Sequence, residues 1–170
     1  MWGNQKAKIV QISQAPSLHA SISGRPFSKD ESTPDASGKR LLEWYQIPRE
    51  IFYNPDFFYF TAIAHCFPGK NKSGDAKPPI ECANKWLLKE LSYLNPNLFL
   101  IVGKYAANYI FPNKDFTKLV FTDLIFRGKP AFALPHPSPA NKKWFKDNPD
   151  FKKKRLKEIR AAIKNVLELK

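Results

Sequence analysis

Pro130-Ala131-Phe132-Ala133-Leu134-Pro135-His136-Pro137-Ser138-Pro139-Ala140-Asn141 is the stretch on which the reading of the fold turns. Its first five residues are a short apolar run, the composition of a strand buried on both faces. Proline locks φ near about −65° and cannot extend a ladder, so the chain must leave the sheet at Pro135 in a set direction. His136, between two prolines, is thereby presented at the carboxyl end of a strand, where α/β proteins bind ligands. Ser138 and Asn141 are each able to cap the helix that follows. A proline-rich loop with an incidental histidine is the competing reading, and the rest of the chain has to decide.

Upstream, three more apolar runs read as strands. Ala7-Lys8-Ile9-Val10-Gln11-Ile12 ends in the small and polar turn Ser13-Gln14-Ala15-Pro16-Ser17. Residues 57–64 are nearly all apolar, as are Leu98-Phe99-Leu100-Ile101-Val102. Between the strands lie helical patterns over residues 39–45, 80–94 and 104–110, and the segment from Pro149 carries an amphipathic stripe of Leu156, Ile159, Ile163, Val166 and Leu167. Residues 18–38 read as loop and residues 112–129 stay open between strand and helix. Strand alternating with helix predicts one domain over residues 1–170, a three-layer α/β fold with helices on both faces of a central four-stranded, mostly parallel sheet.

The 170 residues carry 28 Lys and Arg against 15 Asp and Glu, a net charge of +13. That excess favours a polyanionic partner, most simply nucleic acid. The charge is clustered: residues 142–170 hold 11 Lys or Arg against 4 acids. A hydrophobic content of 43% argues against disorder. No apolar run is long enough to span a membrane and no signal peptide shows, so an intracellular, cytoplasmic protein is expected. Two cysteines, Cys66 and Cys82, make no disulfide framework; buried thiols and a partial metal site both stand as readings. Neither a GxGxxG nor a GxxxxGK[ST] pattern follows a strand, and there is no G-x-S-x-G elbow.

Three separated motifs, taken with their order, resemble one family. Gln14-Ala15-Pro16 followed by Gly24-Arg25-Pro26-Phe27 is similar to the GEAPG…GxPF pattern of the iron-sulfur uracil-DNA glycosylases. Asp35-Ala36-Ser37-Gly38 resembles the DASG of the family-5 branch, and His136-Pro137-Ser138-Pro139 the closing histidine motif. Cys66-Phe67-Pro68-Gly69 and Cys82 resemble the two downstream cysteines of the cluster-bearing branches. The chain is therefore identified as a member of the uracil-DNA glycosylase superfamily, with residues 8–150 carrying the likeness.

The resemblance implies a DNA glycosylase of base-excision repair, acting as a monomer on damaged DNA. Asp35 and His136 would be catalytic. Gln14, Ala15, Pro16, Phe27, Ser37 and Ala62 would bind the substrate, and Ser138, Asn141, Lys142 and Lys143 would hold the DNA. Cys66 and Cys82 would be metal ligands, but two thiolates fall short of the usual four. A 4Fe-4S cluster is implied only if further ligands exist outside this chain; no Cys-x-x-Cys precedes the first strand, and truncation and loss of the cluster both stand open. Relatives carry Asn where this chain has Ala62, and Glu where it has Gln14. Uracil, hypoxanthine, xanthine or another deaminated base all remain candidates, and the alternative is a nucleic-acid-binding protein on the same fold without turnover.

Overall fold

Alternation along the strands fixes how the layers stack. The computed structural model describes residues 1–72 and 74–169; Ser73, in the polar loop, and Lys170, the last of the clustered cations, lie outside the described residues. In chain order the elements are β1 (Ile9–Ser13), α1 (Leu18–Ser23), α2 (Ala36–Tyr45), α3 (Arg49–Phe52), β2 (Phe58–Ala62), β3 (Lys70–Asn71) and β4 (Gly74–Asp75). Then come α4 (Ile80–Cys82), a π-helical segment (Ala83–Leu87), α5 (Leu88–Ser92), β5 (Leu98–Val102), α6 (Lys104–Ile110), α7 (Phe116–Val120), β6 (Leu124–Phe126) and β7 (Lys129–Leu134). The chain closes with a 3-10 turn (Pro139–Asn141), α8 (Lys142–Asp147), a second π-helical segment (Phe151–Arg155) and α9 (Leu156–Leu167).

The main sheet has the order β2-β1-β5-β7-β6. The first four strands are parallel, and β6 pairs antiparallel with β7. Gln11 of β1 accepts a hydrogen bond from Tyr45 of α2 at 2.7 Å. Its register partner on β2 is Phe60, so that set of side chains faces α2. The opposite set includes Thr61, which donates to Glu90 of α5 at 2.7 Å. Helices therefore cover both faces, and β1 and β5 are buried along their whole length. Phe52, Phe58, Phe99 and Trp44 are fully buried in this core, each such side chain worth about 1.5–3 kcal/mol on transfer from water.

Two features depart from expectation. The sheet has five strands rather than four, because Leu124–Phe126 returns beside β7 as an edge. The two residues between them, Arg127 and Gly128, have φ of 51° and 75°. Positive φ at both central positions is the hairpin geometry usually marked by Asn-Gly, and Arg-Gly hides it. Leu119 and Val120, ambiguous in the sequence, belong to helix α7, capped by Asp115 accepting from Lys118 N–H. The expected long loop over 18–38 begins as helix α1, capped by Ser17 and ended by Gly24 in the left-handed region. Its remainder is tied together internally, since the buried Ser28 Oγ donates to the carbonyls of Asp30 and Thr33 at 2.6 and 2.9 Å.

Because β2 and β5 lie on opposite sides of β1, the chain reverses its direction of winding there. Ligands bind outside the carboxyl ends of the strands at such a point. The carboxyl ends of β1, β2 and β7 deliver Gln14, Ala62 and His136 to that edge. No helix of the described residues is long and apolar enough to cross a membrane.

Candidate functional site

His136 is held by the backbone around it. Proline supplies no N–H at positions 135 and 137, so what fixes this loop is what its carbonyls accept. Leu134 O accepts from Gly103 N–H at 2.8 Å. His136 O accepts from Asn141 Nδ2 at 3.2 Å, and Arg40 Nη1 donates at 2.9 Å to both Pro137 O and Ser138 O. Gly103 has φ +92°, and a Cβ there would stand 3.3 Å from His136 Cδ2, so the ring leans directly on the backbone after β5. Ser138 N–H donates to His136 Nδ1 at 3.2 Å. With Nδ1 an acceptor, the proton of the neutral ring sits on Nε2. Burial holds the pKa of His136 below its ordinary 6.5, against a weaker opposing pull from Asp75 and Asp35. The neutral Nε2–H form is thus the resident species near pH 7.

The other motifs interlock opposite this loop. Asp35 caps α2, its Oδ1 accepting from Gly38 N–H at 2.8 Å. Phe27 has φ 54°, uncommon for a bulky residue. Its carbonyl accepts from Asp35 N–H at 2.9 Å and from Tyr53 Oη at 3.2 Å. The same carbonyl lies against Gly38 with no room for a Cβ. The four-residue turn Asp35–Gly38 is therefore what lets Phe27 be placed as it is, with its ring 6.1 Å from that of Phe60. Backbone strain of this sort persists where its surroundings over-determine it, as at ligand sites.

These groups enclose one cavity of about 530 Å³. Gln14, Ala15, Pro16, Phe27, Asp35, Ser37, Ala62, His136, Ser138 and Cys66 all line it. Asp75 of the β3–β4 hairpin and His65 line it too. Among the described residues no Lys or Arg does, although the chain has 28 of them. A model of the uracil DNA glycosylase superfamily matches residues 1–160. The chain belongs to that superfamily. It is 29% identical over 109 residues to the type-4 uracil-DNA glycosylase of Archaeoglobus fulgidus, covering 64% of this chain and 50% of that protein. The type-4 uracil-DNA glycosylases of Saccharolobus solfataricus and Sulfurisphaera tokodaii are 24% and 26% identical over 110 residues each, with 64% of this chain and 46% of each relative covered. The chain spans about half the length of the curated relatives it matches.

Four of the expected residues lie elsewhere in this superfamily member. Asn141 lines a neighbouring cleft of about 210 Å³ with Tyr105, Trp144 and Lys104, sharing Gln14 and His136 with the main cavity. Lys142 and Lys143 are exposed on α8 outside the cavity, and Lys143 pairs with Asp147 at 3.0 Å. The reading of both cysteines as buried fails for Cys66, which is exposed; Cys82 is half-buried, lies outside the cavity, and its Sγ accepts from His65 N–H at 3.4 Å. A four-thiolate cluster does not fit the donors present, since no group of three or more His, Cys, Asp or Glu among the described residues is placed to hold a metal. Arg40, Asp75 and His65 escaped the sequence reading. Arg40 looks like any exposed helical cation until its partners, almost a hundred residues on, are known.

Proposed function

We propose that residues 1–170 form a single, monomeric DNA glycosylase domain that excises uracil or another deaminated base by hydrolysing its N-glycosidic bond. The observation that carries this reading is the cavity: three sequence motifs meet in it, and its charged side chains are carboxylates in a chain of net charge +13. A pocket for phosphate would be basic, whereas a pocket for a base and a cation-like sugar would not be. The damaged base leaves the stack at a cost of a few kcal/mol and enters against Phe27, between it and the turn Gln14-Ala15-Pro16. Ser37 and Ala62 close the space around it. As the bond from C1′ to the base nitrogen breaks, its electron pair leaves with the base. His136 Nε2–H donates to the charge that develops there, without having to give up its proton. Asp35 orients a water whose oxygen bonds to C1′ and whose proton the carboxylate takes. Asp75 adds a second negative charge beside the sugar. Ser138 of the cavity lining, Asn141 of the adjoining cleft, and Lys142 and Lys143, exposed on α8, hold the flanking phosphates.

Purified protein should release base from oligonucleotides carrying uracil, hypoxanthine or xanthine, scored as alkali-labile cleavage. His136→Ala should cost roughly 10²–10³ in rate, the usual loss of one preorganised donor. DNA binding with no cleavage of any substrate would instead support a binding protein without turnover.

A further inference from the structure

Helix α2 carries two cations side by side, Lys39 and Arg40. Lys39 is exposed, as a helical cation usually is, whereas Arg40 is half-buried. Among the described residues no carboxylate lies within ion-pair distance of Arg40. Its guanidinium lies 5.7 Å from the centre of the Phe145 ring. Its Nη1 donates at 2.9 Å to two successive carbonyls, Pro137 O and Ser138 O. A guanidinium is planar and always charged, so the bonds it gives are stronger and more sharply directed than those of a neutral donor. The charge is spent on fixing two carbonyls of the His136 loop rather than on an acid.

The other bonds of that loop shape it without placing it. Asn141 Nδ2 donates to His136 O at 3.2 Å, Ser138 N–H to His136 Nδ1 at 3.2 Å, and Asn141 N–H to Ser138 O at 3.1 Å. Each joins one part of the loop to another and travels with it as a body. The bond from Gly103 N–H to Leu134 O holds the root, at the end of β7. Pro135 and Pro137 stiffen the chain but have no N–H to bond outward. Among the described residues, the bonds that tie the tip of the loop to the helical layer are those from Arg40. That layer carries the other reactive group as well. Asp35 caps α2, and Arg40 stands five residues further along the same helix, roughly 7.5 Å of axial rise.

We propose that Arg40 is a positioning residue for excision, which clamps the His136 loop onto helix α2 and so fixes the separation between the Nε2–H donor and the Asp35 carboxylate. The assignment rests on the glycosylase reading of the cavity. The two groups serve opposite sides of one breaking bond, His136 the departing base and Asp35 the water that replaces it. Neither is of use at the wrong distance from the other, and a misplacement of about 1 Å caused from outside the chemistry costs roughly 10²-fold. Arg40 is not among the residues that line the cavity. Its effect on the rate therefore runs through the loop.

The test is single-turnover excision by the full chain and by Arg40→Met, Arg40→Lys, His136→Ala and the double variant of Arg40→Met with His136→Ala, each assayed below its unfolding temperature. Nitrogen NMR of the imidazole rings is recorded beside it in mildly alkaline solution. Arg40→Met keeps the aliphatic stem and drops the donors. It should lose roughly 10²-fold in rate at saturating DNA while the half-saturating DNA concentration stays within about twofold. Arg40→Lys, which keeps a charged donor, should recover part of the loss. In the His136→Ala background Arg40→Met should cost almost nothing, because the group it positions is gone. The native spectrum should show His136 with its proton on Nε2, and Arg40→Met should mix the two tautomers as the loop loosens. A merely structural tie would cost the same factor in both backgrounds, and that result overturns the assignment. A raised half-saturating concentration at an unchanged rate overturns it too, as does a His136 spectrum that Arg40→Met leaves untouched. A native chain that releases no base, with a His136 spectrum that Arg40→Met does change, supports Arg40 as the clamp and overturns the glycosylase reading alone.

Discussion

Asp35 spends one oxygen on its own helix and keeps another. Oδ1 is bound to Gly38 N–H, and a carboxylate has a second oxygen to turn toward the cavity that the residue lines. Serine caps a helix as well as aspartate does but cannot take a proton from water. Asp35→Ser should therefore unfold at nearly the native temperature while excision falls by roughly 10²–10⁴, the usual range for a lost general base. Asp35→Ala should lose about 1 kcal/mol of stability in addition. Thermal unfolding beside single-turnover excision separates the two, and full activity in Asp35→Ser would leave Asp35 as a cap alone. His136 makes a prediction of a different kind. Its folded pKa lies below 6.5, so its contribution to stability is complete above the unfolded value. As pH falls below about 6.5 the unfolded chain takes up the proton first and stability declines until the folded pKa is passed. The excision rate should hold steady through pH 6.5 and fall only below it, where Nδ1 takes up a proton, can no longer accept from Ser138 N–H, and the ring loses the contact that fixes its orientation. In His136→Gln the matching acid limb of the melting temperature should be missing.

At the scale of elements, the parallel strands were legible because buried strands are written as apolar runs, and α6 because a glycine and a buried strand precede it. What escaped was short or cross-linked. Helix α1 has six residues, three of them weak helix formers, and only Ser17 and Gly24 at its ends betray it. Edge strand β6 has three residues. The motifs meet in one cavity, and each was legible because it is a turn with a backbone requirement of its own, whereas Glu90, behind His65, is one acid among fifteen. The DASG turn shows what such a requirement is. In an ordinary helix, Gly→Ala stabilises by roughly 0.5–1 kcal/mol. At Gly38 the new methyl would strike the Phe27 carbonyl, which is pinned by Asp35 N–H and Tyr53 Oη. Gly38→Ala should therefore destabilise in urea unfolding, and should raise KM for excision more than it lowers kcat, because Phe27 loses its place.

Across the whole molecule the positive charge divides into two ends. Lys8, at the start of β1, pairs with Glu168 just past α9 at 3.0 Å. The final turn of α9 is thus at the amino edge of the sheet, opposite the cavity. Helix α8, in contrast, follows the His136 loop directly and is anchored through Phe145, whose ring lies 5.6 Å from that of Trp44 on α2. Of the eleven cations in residues 142–170, Lys142, Lys143 and Lys146 are exposed on α8, the helix that follows the His136 loop, whereas Lys164 lies in the final turn of α9. Each phosphate neutralised adds about 0.9 to the slope of log affinity against log salt on duplex DNA. Lys142→Ala should lower that slope by close to one such unit and weaken binding without regard to the base in the pocket. Lys143→Ala should do less, because Asp147 already holds the ammonium. Lys164→Ala, in the last turn of α9, should leave the slope where it was. Affinity measured over a salt series for the three variants decides the matter: a slope that falls with Lys164 and not with Lys142 would put the DNA on the opposite end of the sheet from His136.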